Sequence, residues 1–193
     1  MQIWKLSKQA IAEQTASALK RGKVLACPTD TVYIWMVDAT NKNAVRRVFQ
    51  IKGRPSGKPL PIFVSSIATA KRLAKVRPLQ EQYMRKVWPG KVTVVLKSRG
   101  VLPKETGTKE TIGLRIPKHK LVQMILETAK LPLTGTSANL SGEPPLRDSK
   151  EIMKQFAERK YQPDILLDAG KLPHSRVSRV VDITKEKPLI IRK

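Results

Sequence analysis

Residues 131–145 read LPLTGTSANLSGEPP, and this stretch decides how the rest of the chain is interpreted. A short apolar run at 131–133 gives way to small polar residues and then to two prolines, which predicts a strand that delivers a polar loop. Gly135 and Gly142 permit close backbone approach and positive φ, and the hydroxyl and amide side chains between them offer hydrogen-bond donors and acceptors. The stretch alone is equally typical of a ligand-binding loop and of an ordinary exit from a strand.

Two further stretches are rich in polar or cationic residues, PTDTVY at 28–33 and IKGRPSGKPL at 51–60. The second is not a P-loop, because three residues rather than four separate its glycines and a proline follows its last lysine. Its prolines also lack backbone N–H groups, so capture of a phosphate would fall to the side chains of Lys52, Arg54 and Lys58. The alternative is that these cations only complement the dipole of the preceding helix, for about 0.3 to 1 kcal/mol each.

Taken in order, the three stretches resemble the motifs of the YrdC-like threonylcarbamoyl-AMP synthases. Members of that family carry P-T-[DE]-T-V-Y, then K-x-R-P with P-L soon after, and then S-A-N-x-S-G. This chain reads PTDTVY at 28–33, KGRP at 52–55 with PL at 59–60, and SANLSG at 137–142. The resemblance extends from about Leu6 to the last residues of the chain.

The resemblance implies an α/β fold, with a single YrdC-like domain over residues 1–193, a twisted mixed sheet, flanking helices and a concave basic cavity. It implies an L-threonylcarbamoyladenylate synthase, a nucleotidyltransferase that joins L-threonine, bicarbonate or CO2, and ATP into threonylcarbamoyl-AMP and releases pyrophosphate. A downstream threonylcarbamoyl transferase then passes the group to tRNA. Mg²⁺ is implied as well, held by phosphates and water rather than by protein side chains.

The resemblance also implies roles for individual residues. The implied nucleotide contacts are Lys52, Arg54, Lys58, Thr111, Ser137, Asn139 and Arg192. The implied threonine contacts are Thr31, Arg115 and Ser178. The reaction requires no protein nucleophile, so the site must supply position and positive charge, and Lys52 and Arg54 are the implied catalytic residues. Read from the sequence alone, Arg115 stands among apolar neighbours and needs an anion, either a protein carboxylate or a ligand carboxylate.

Two departures from the family pattern lie beside the implied threonine contacts. After PTDTVY the family usually continues with glycine and a small apolar segment, whereas this chain has Ile34, Trp35 and Met36, which predicts bulk at the floor of the pocket. The usual S-T-V-V-D reads SRVVD at 178–182, with Arg179 in place of a threonine. Threonine specificity therefore follows less directly from the motifs than nucleotide binding does.

The charge of the chain is strongly positive, because 38 Lys and Arg residues stand against 15 Asp and Glu residues, for a formal net charge of +23. Such a surface attracts polyanions, including tRNA and double-stranded RNA. The basic residues are scattered, which is equally typical of a solvated surface without a specific partner. A non-catalytic RNA-binding protein is therefore the alternative function, and a related enzyme that handles another carbamoyl-type acyl group is a second alternative.

Composition argues against several other classes. No apolar run approaches the roughly 18 to 20 residues that span a bilayer, and the first residues lack the apolar core of a signal peptide, so we expect a cytoplasmic protein without membrane association. The single cysteine, Cys27, cannot form an internal disulfide and is expected to be buried. His119 and His174 fall in polar turns and receive no catalytic role.

Hydrophobic periodicity predicts helices and strands in irregular alternation, closed by two strands at 177–183 and 189–192. We expect Ser7 to cap the first helix and Ser149 the last. Residues 101–111 are rich in Lys, Thr, Gly and Glu, which predicts a mobile loop and a candidate lid.

Overall fold

A computed structural model of the protein describes residues 1–5, 10–55 and 58–193. The strands are β1 (Gln2–Lys5), β2 (Leu25–Cys27), β3 (Ile34–Met36), β4 (Ile62–Phe63), β5 (Ala74–Lys75), β6 (Val92–Ser98), β7 (Thr111–Arg115), β8 (Leu133–Thr134), β9 (Thr136–Ser137), β10 (Ile165–Asp168), β11 (Arg179–Asp182) and β12 (Leu189–Arg192). The helices are α1 (Ile11–Lys20), α2 (Lys42–Lys52), α3 (Ile67–Leu73), α4 (Pro78–Val87), α5 (Lys120–Ala129) and α6 (Ser149–Phe156), with a 3-10 helix at Lys104–Thr106.

The strands form two sheets instead of the single sheet that we expected. The smaller sheet has the order β1-β10-β2-β3-β9, and the larger has the order β12-β11-β6-β7-β4-β8, with β5 paired to β6. Both sheets are mixed, since β10 is parallel to its two neighbours and β11 is parallel to β6, while β3 is antiparallel to β2 and β9. The α/β class with twisted mixed strands and flanking helices is thus confirmed, and the single sheet is wrong.

The two sheets meet within residues 131–145. β8 pairs with β4 in the larger sheet, and β9 pairs with β3 in the smaller one, so the chain changes sheets at Gly135. The Gly135 N–H donates to the Pro61 carbonyl at 2.8 Å, and a Cβ on Gly135 would lie 2.3 Å from Cε1 of Phe63. Only glycine permits this approach. The predicted strand therefore leads into a second short strand before the polar loop begins.

Helices cover both faces of the smaller sheet and one side of the larger. Apolar residues of α1 and α5 pack together with β2, β3 and β10 in one core cluster, and apolar residues of α2 and α6 pack against the opposite face in a second. A third cluster joins α3 and α4 to the larger sheet. Trp35 and Phe156 meet edge to face in the second cluster, with ring centroids 4.9 Å apart.

Helix α2 delivers its last residues to the edge of the cavity described below. Asn41 caps it, since Oδ1 accepts from the backbone N–H groups of Asn43 and Ala44 at 3.1 Å each. Gly53 ends it in the left-handed conformation, with φ of 58°. The cap, the inward apolar stripe and the glycine all appear in the sequence, and the predicted helix is confirmed.

Three local predictions have other outcomes. Ser7 lies outside the described residues, and the described part of the first helix begins at Ile11. Asp148 caps α6 by accepting from the Lys150 N–H at 2.9 Å, so the expected cap at Ser149 is wrong by one residue. Residues 101–111 contain the 3-10 helix and bury Thr106 and Thr108, whose hydroxyl oxygens lie 2.6 Å apart. The segment is therefore partly packed, and its mobility and role as a lid stay predictions.

Within the part of the chain that the structure describes, no helix has the length and apolar character that a membrane crossing requires.

Candidate functional site

A cavity of about 510 Å³ opens between the two sheets. Nine of the ten residues singled out from the sequence line it: Thr31, Lys52, Arg54, Thr111, Arg115, Ser137, Asn139, Ser178 and Arg192. The tenth, Lys58, is exposed and is not among the lining residues. Segments far apart in sequence therefore meet at one place, including the end of α2, the turn after β2, the strand β7 and the loop after β9.

The cavity wall carries positive charge. Lys52, Arg54, Arg115 and Arg192 line it, and none of the described lining residues is Asp or Glu. Cationic side chains with hydroxyl and amide groups between them suit a ligand that carries phosphate or carboxylate groups.

Lys52 is buried at 4% exposure, and its ammonium group is fully engaged by protein atoms. Nζ donates to the carbonyl of Ser137 at 2.6 Å, to the carbonyl of Asn139 at 3.1 Å and to Asn139 Oδ1 at 2.9 Å. Burial and, secondarily, the charge of Arg54 lower the pKa of Lys52 to about 7. In this arrangement Lys52 holds the loop after β9 in place, and its three donors point at protein acceptors.

The side chains of that loop are also engaged with one another. Ser137 Oγ donates to Asn139 Oδ1 at 2.6 Å, and Asn139 Nδ2 donates to the carbonyls of Leu140, at 2.9 Å, and Glu143. The backbone N–H of Ser141 donates to the Lys52 carbonyl at 2.8 Å. These bonds fix the loop against the end of α2, so the loop presents a defined surface to the cavity.

Arg54 projects from the end of α2 with most of its guanidinium donors free of protein acceptors in the described residues. Its single such contact there runs from Nη2 to the Pro59 carbonyl at 3.2 Å. Partial burial lowers the pKa of Arg54, yet an arginine stays protonated at any physiological pH. Among the predicted phosphate-binding cations that line the cavity, Arg54 therefore keeps the most N–H donors for a ligand in the described residues.

Arg115 is held on three sides. Nε donates to the Gly90 carbonyl at 2.8 Å, and Nη2 lies 2.6 and 2.7 Å from the two carboxylate oxygens of Asp30. Its guanidinium carbon stands 5.5 Å from the centroid of the Phe63 ring, because Phe63 is its register partner in the parallel pair of β4 and β7. Burial lowers the pKa of Arg115 and the carboxylate of Asp30 opposes that shift. The anion that this cation needs is thus a protein carboxylate in the structure.

Thr31 enters the cavity from a turn that caps itself. Thr29 Oγ1 accepts from the backbone N–H groups of Thr31 at 3.1 Å and Val32 at 3.3 Å, and it donates to the Val32 carbonyl at 2.8 Å. The Thr31 hydroxyl lies 3.0 Å from Thr29 Oγ1. Because the Thr29 proton is already used, Thr31 donates here, and its lone pairs remain to accept from a ligand N–H.

Ser178 and Arg192 belong together on the opposite wall. Arg192 donates through Nε at 3.2 Å and Nη2 at 2.8 Å to the Ser178 carbonyl, and through Nη2 to Ser178 Oγ at 3.2 Å. Ser178 Oγ also lies 3.4 Å from Thr93 Oγ1. An implied threonine contact and an implied nucleotide contact are therefore hydrogen-bonded neighbours, and Thr93 is a further hydroxyl on the same wall.

The departures from the family pattern affect the cavity less than we expected. Ile34 lines it, whereas the fully buried Trp35 and Met36 pack into the two cores on either side of the sheet. Arg179 is exposed and does not line the cavity, because strand alternation brings Ser178 and Val180 to the cavity side instead. Of the three bulky residues predicted at the pocket floor, Ile34 is therefore the one that lines the cavity.

Sequence reasoning missed the residues that support Arg115. Asp30, Phe63 and Gly90 received no role, although Asp30 is the one acidic residue within the family motifs PTDTVY, KGRP and SANLSG. A single carboxylate among motif residues that are otherwise neutral or cationic was the available signal. Its partner could not be identified from the sequence, since Arg115 lies 85 residues further along the chain.

The cavity offers position and charge in place of a nucleophile. Its described lining residues include no Cys, His, Asp or Glu, and Cys27 is fully buried elsewhere, where burial raises the pKa of its thiol. Without a lining carboxylate, these side chains do not form a Mg²⁺ site of their own, and the described residues contain no group of three metal-ligating side chains.

Comparison with known proteins agrees with this geometry. The Sua5/YciO/YrdC family model, described as telomere recombination, matches residues 17–193. The chain is 33% identical over 179 residues to a threonylcarbamoyl-AMP synthase of Pyrococcus abyssi (strain GE5 / Orsay), which covers 92% of this chain and 52% of that protein. It is 32% identical over 184 residues to a threonylcarbamoyl-AMP synthase of Homo sapiens, covering 92% of this chain and 62% of that protein.

The fold is shared with a solved relative. The crystal structure of P. abyssi Sua5 complexed with L-threonine superimposes with a TM-score of 0.89 at 30% identity, covering 100% of this chain and 57% of that one. The chain spans between 52% and 62% of the length of these relatives. With most of its length matched by the family model and its motifs gathered around one cavity, the chain belongs to the Sua5/YciO/YrdC family.

Proposed function

We propose that this chain is an L-threonylcarbamoyladenylate synthase, which forms threonylcarbamoyl-AMP and pyrophosphate from L-threonine, bicarbonate or CO2, and ATP. The observation that carries the proposal is the cavity itself, which gathers nine residues implied by the family resemblance, five of them from the three motifs. Two curated relatives bear the name of this activity, and the solved structure of P. abyssi Sua5 contains L-threonine. Residues 1–193 would act as one YrdC-like domain.

The proposed chemistry proceeds in two steps. The threonine amine captures CO2 as a carbamate, and a carbamate oxygen then attacks the α-phosphorus of ATP while pyrophosphate leaves. Both steps join molecules that must be held in line, so positioning lowers the barrier without a protein nucleophile. Mg²⁺ would supply positive charge to the phosphates and would be held by them and by water.

The threonine subsite would lie at Arg115, Thr31 and Ser178. The Nη1 group of Arg115 would bind the substrate carboxylate, since its Nε and Nη2 are already bonded to Gly90 and Asp30. The Thr31 hydroxyl, which can accept a hydrogen bond, suits the substrate amine. A carboxylate, an amine and a short side chain would thereby be fixed in one orientation.

The nucleotide subsite would lie across the cavity. Arg54 and Arg192 would contact the phosphates directly, while Lys52, Ser137 and Asn139 would shape the loop beneath them. Thr111 lies at the first residue of β7, on the cavity wall. Lys58 would reach the outermost phosphate only by extending into the cavity from its exposed position. One well-placed donor of this kind can contribute about 3 to 4 kcal/mol to the transition state.

The product would be consumed by a threonylcarbamoyl transferase that modifies tRNA, which places the proposed reaction in the cytoplasm. Contact of the chain itself with tRNA or double-stranded RNA is part of the proposal, because a net charge of +23 attracts polyanions.

The test is pyrophosphate release by the purified protein with ATP, Mg²⁺ and bicarbonate, with and without L-threonine. We expect release to require threonine and to fall by about 10² to 10³ in Arg54→Ala. Arg159→Ala, which removes an exposed arginine outside the cavity lining, should retain wild-type release and serves as the matched control. Absence of release with any amino acid, together with tight RNA binding, would favour the non-catalytic RNA-binding alternative.

A further inference from the structure

Asp30 contacts the cavity only through Arg115. It is not among the residues that line the cavity, yet both of its carboxylate oxygens lie within 2.7 Å of Arg115 Nη2. The side chains are 3% exposed for Arg115 and 9% exposed for Asp30, so this ion pair is almost entirely removed from solvent. Asp30 therefore lies behind the cavity wall, and Arg115 is part of that wall.

The contacts of Arg115 leave one edge of its guanidinium for a ligand. Of its five N–H donors, the Nε–H is used by Gly90, and the Nη2 group donates to the carboxylate of Asp30. In the described residues, the two Nη1–H groups have no protein acceptor within bonding distance. The guanidinium carbon lies over the Phe63 ring, 5.5 Å from its centroid. The orientation of the open edge is therefore set by protein contacts at the other two edges.

Asp30 is itself fixed at both ends. Its carbonyl accepts from Ser175 Oγ at 3.1 Å, and Ser175 Oγ accepts from Lys91 Nζ at 2.8 Å. The turn capped by Thr29 carries Thr31 into the cavity and Asp30 behind it in consecutive positions. One short turn thereby positions both Thr31, which lines the cavity, and Asp30, which pairs with the cavity residue Arg115.

We infer that Asp30 is a positioning residue for the substrate's α-carboxylate subsite, which it creates by holding Arg115 so that only its Nη1 edge meets the ligand. The inference rests on the proposed function, because that function identifies the ligand at the Nη1 edge as the carboxylate of an amino acid. Removing the carboxylate leaves a buried guanidinium without its fixed partner, and the group would turn toward other acceptors. Amino-acid binding would suffer, whereas the nucleotide contacts across the cavity do not involve this pair.

The experiment compares steady-state pyrophosphate release by the full chain and its Asp30→Asn, Asp30→Glu and Ser175→Ala variants, with L-threonine and ATP varied separately. We expect Asp30→Asn to raise the KM for threonine about 10- to 100-fold, the effect of a hydrogen bond to a charged group, with the KM for ATP nearly unchanged. Asp30→Glu should recover part of the loss because it restores the charge, and Ser175→Ala should give a smaller rise in the same KM.

Glu158→Gln, which removes one exposed carboxylate, is the matched control and should behave as wild type. Melting temperatures of all variants separate a folding defect from a binding defect. If Asp30→Asn does not fold, the milder Ser175→Ala variant still tests the inference through the KM for threonine. Equal rises in both KM values, or an unchanged threonine KM in folded Asp30→Asn, would overturn the inference alone. A wild-type protein without threonine-dependent release would overturn the proposed function and this inference together.

Discussion

At the scale of single residues, Lys52 shows that a cation in a predicted phosphate-binding motif can use all its donors for hydrogen bonds within the protein. All three of its N–H donors reach acceptors on Ser137 and Asn139. Only the protonated ammonium can satisfy three acceptors, because a neutral amine has two N–H groups. The protonation state of one buried side chain therefore decides whether the loop after β9 is fully bonded.

This dependence predicts a pH effect on nucleotide binding. Burial lowers the pKa of Lys52 to about 7, so the ammonium loses its proton as the pH rises through that value. One hydrogen bond to the loop and one positive charge in the cavity are then lost, and we expect ATP affinity to fall between about pH 6 and 8.5. Calorimetric titration of ATP across this range measures the effect.

The stability of the fold should show the opposite trend. The folded pKa of about 7 lies below the ordinary value of 10.5, so the unfolded chain binds more protons between these values and the free energy of unfolding contributed by Lys52 rises with pH. Lys52→Met should abolish both trends, whereas Lys154→Met, at an exposed position, should preserve them. An unchanged pH profile in Lys52→Met would assign the titration to another group.

At the scale of elements, the change of sheet at Gly135 couples the fold to the site. The glycine lies between β8 and β9, and its lack of a side chain lets the Phe63 ring approach. That ring lines the cavity and supports the guanidinium of Arg115. A backbone position outside the motif residues thus determines where a predicted substrate contact lies.

Substitution of this glycine has a calculable steric cost. In Gly135→Ala the new Cβ would lie 2.3 to 2.6 Å from three carbons of the Phe63 ring, so the ring must move. We expect a loss of about 1 to 3 kcal/mol in the free energy of unfolding, typical of an overpacked core, together with a raised KM for threonine. Denaturant unfolding and steady-state kinetics measure the two effects.

The matched control combines Gly135→Ala with Phe63→Leu, which removes the ring that the methyl group meets. If the clash between the methyl group and the ring causes the loss, the sum of the losses in unfolding free energy of the two single variants will exceed the loss in the double variant. Strict additivity would show that Gly135→Ala acts through the backbone and not through Phe63.

The elements also show how far the sequence allows prediction. Helix α2 was predictable because its cap, its apolar stripe and its terminal glycine are local signals. The split into two sheets was not, since β8 and β9 have two residues each and their partners lie about 70 and 100 residues earlier in the chain, a separation that no local pattern encodes. For the same reason nine cavity residues followed from the motifs and the family resemblance, whereas the pairing of Asp30 with Arg115 required the structure.

At the scale of the whole molecule, most of the cationic residues that give the net charge of +23 lie outside the cavity. Four cations line the cavity, out of 38 Lys and Arg residues in the chain. Exposed charges act on polyanions at long range and are screened by salt within about 10 Å at 0.1 M, whereas buried groups are screened less. The two sets of cations can therefore be distinguished by their response to salt.

We expect binding of tRNA to be steeply dependent on salt and independent of the cavity. If the protein contacts 6 to 10 phosphates, its affinity for tRNA should fall by about 10³ to 10⁵ between 50 and 200 mM salt, since bound counterions are released on association. Arg54→Ala removes one cation of 38 and should leave this binding nearly unchanged, although we expect it to lower threonine-dependent pyrophosphate release by about 10² to 10³. Fluorescence anisotropy with labelled tRNA measures the affinity, and a DNA duplex of equal length tests sequence-independent attraction. RNA binding that resists salt and is lost in Arg54→Ala would instead place the nucleic acid in the cavity, where it would compete with ATP.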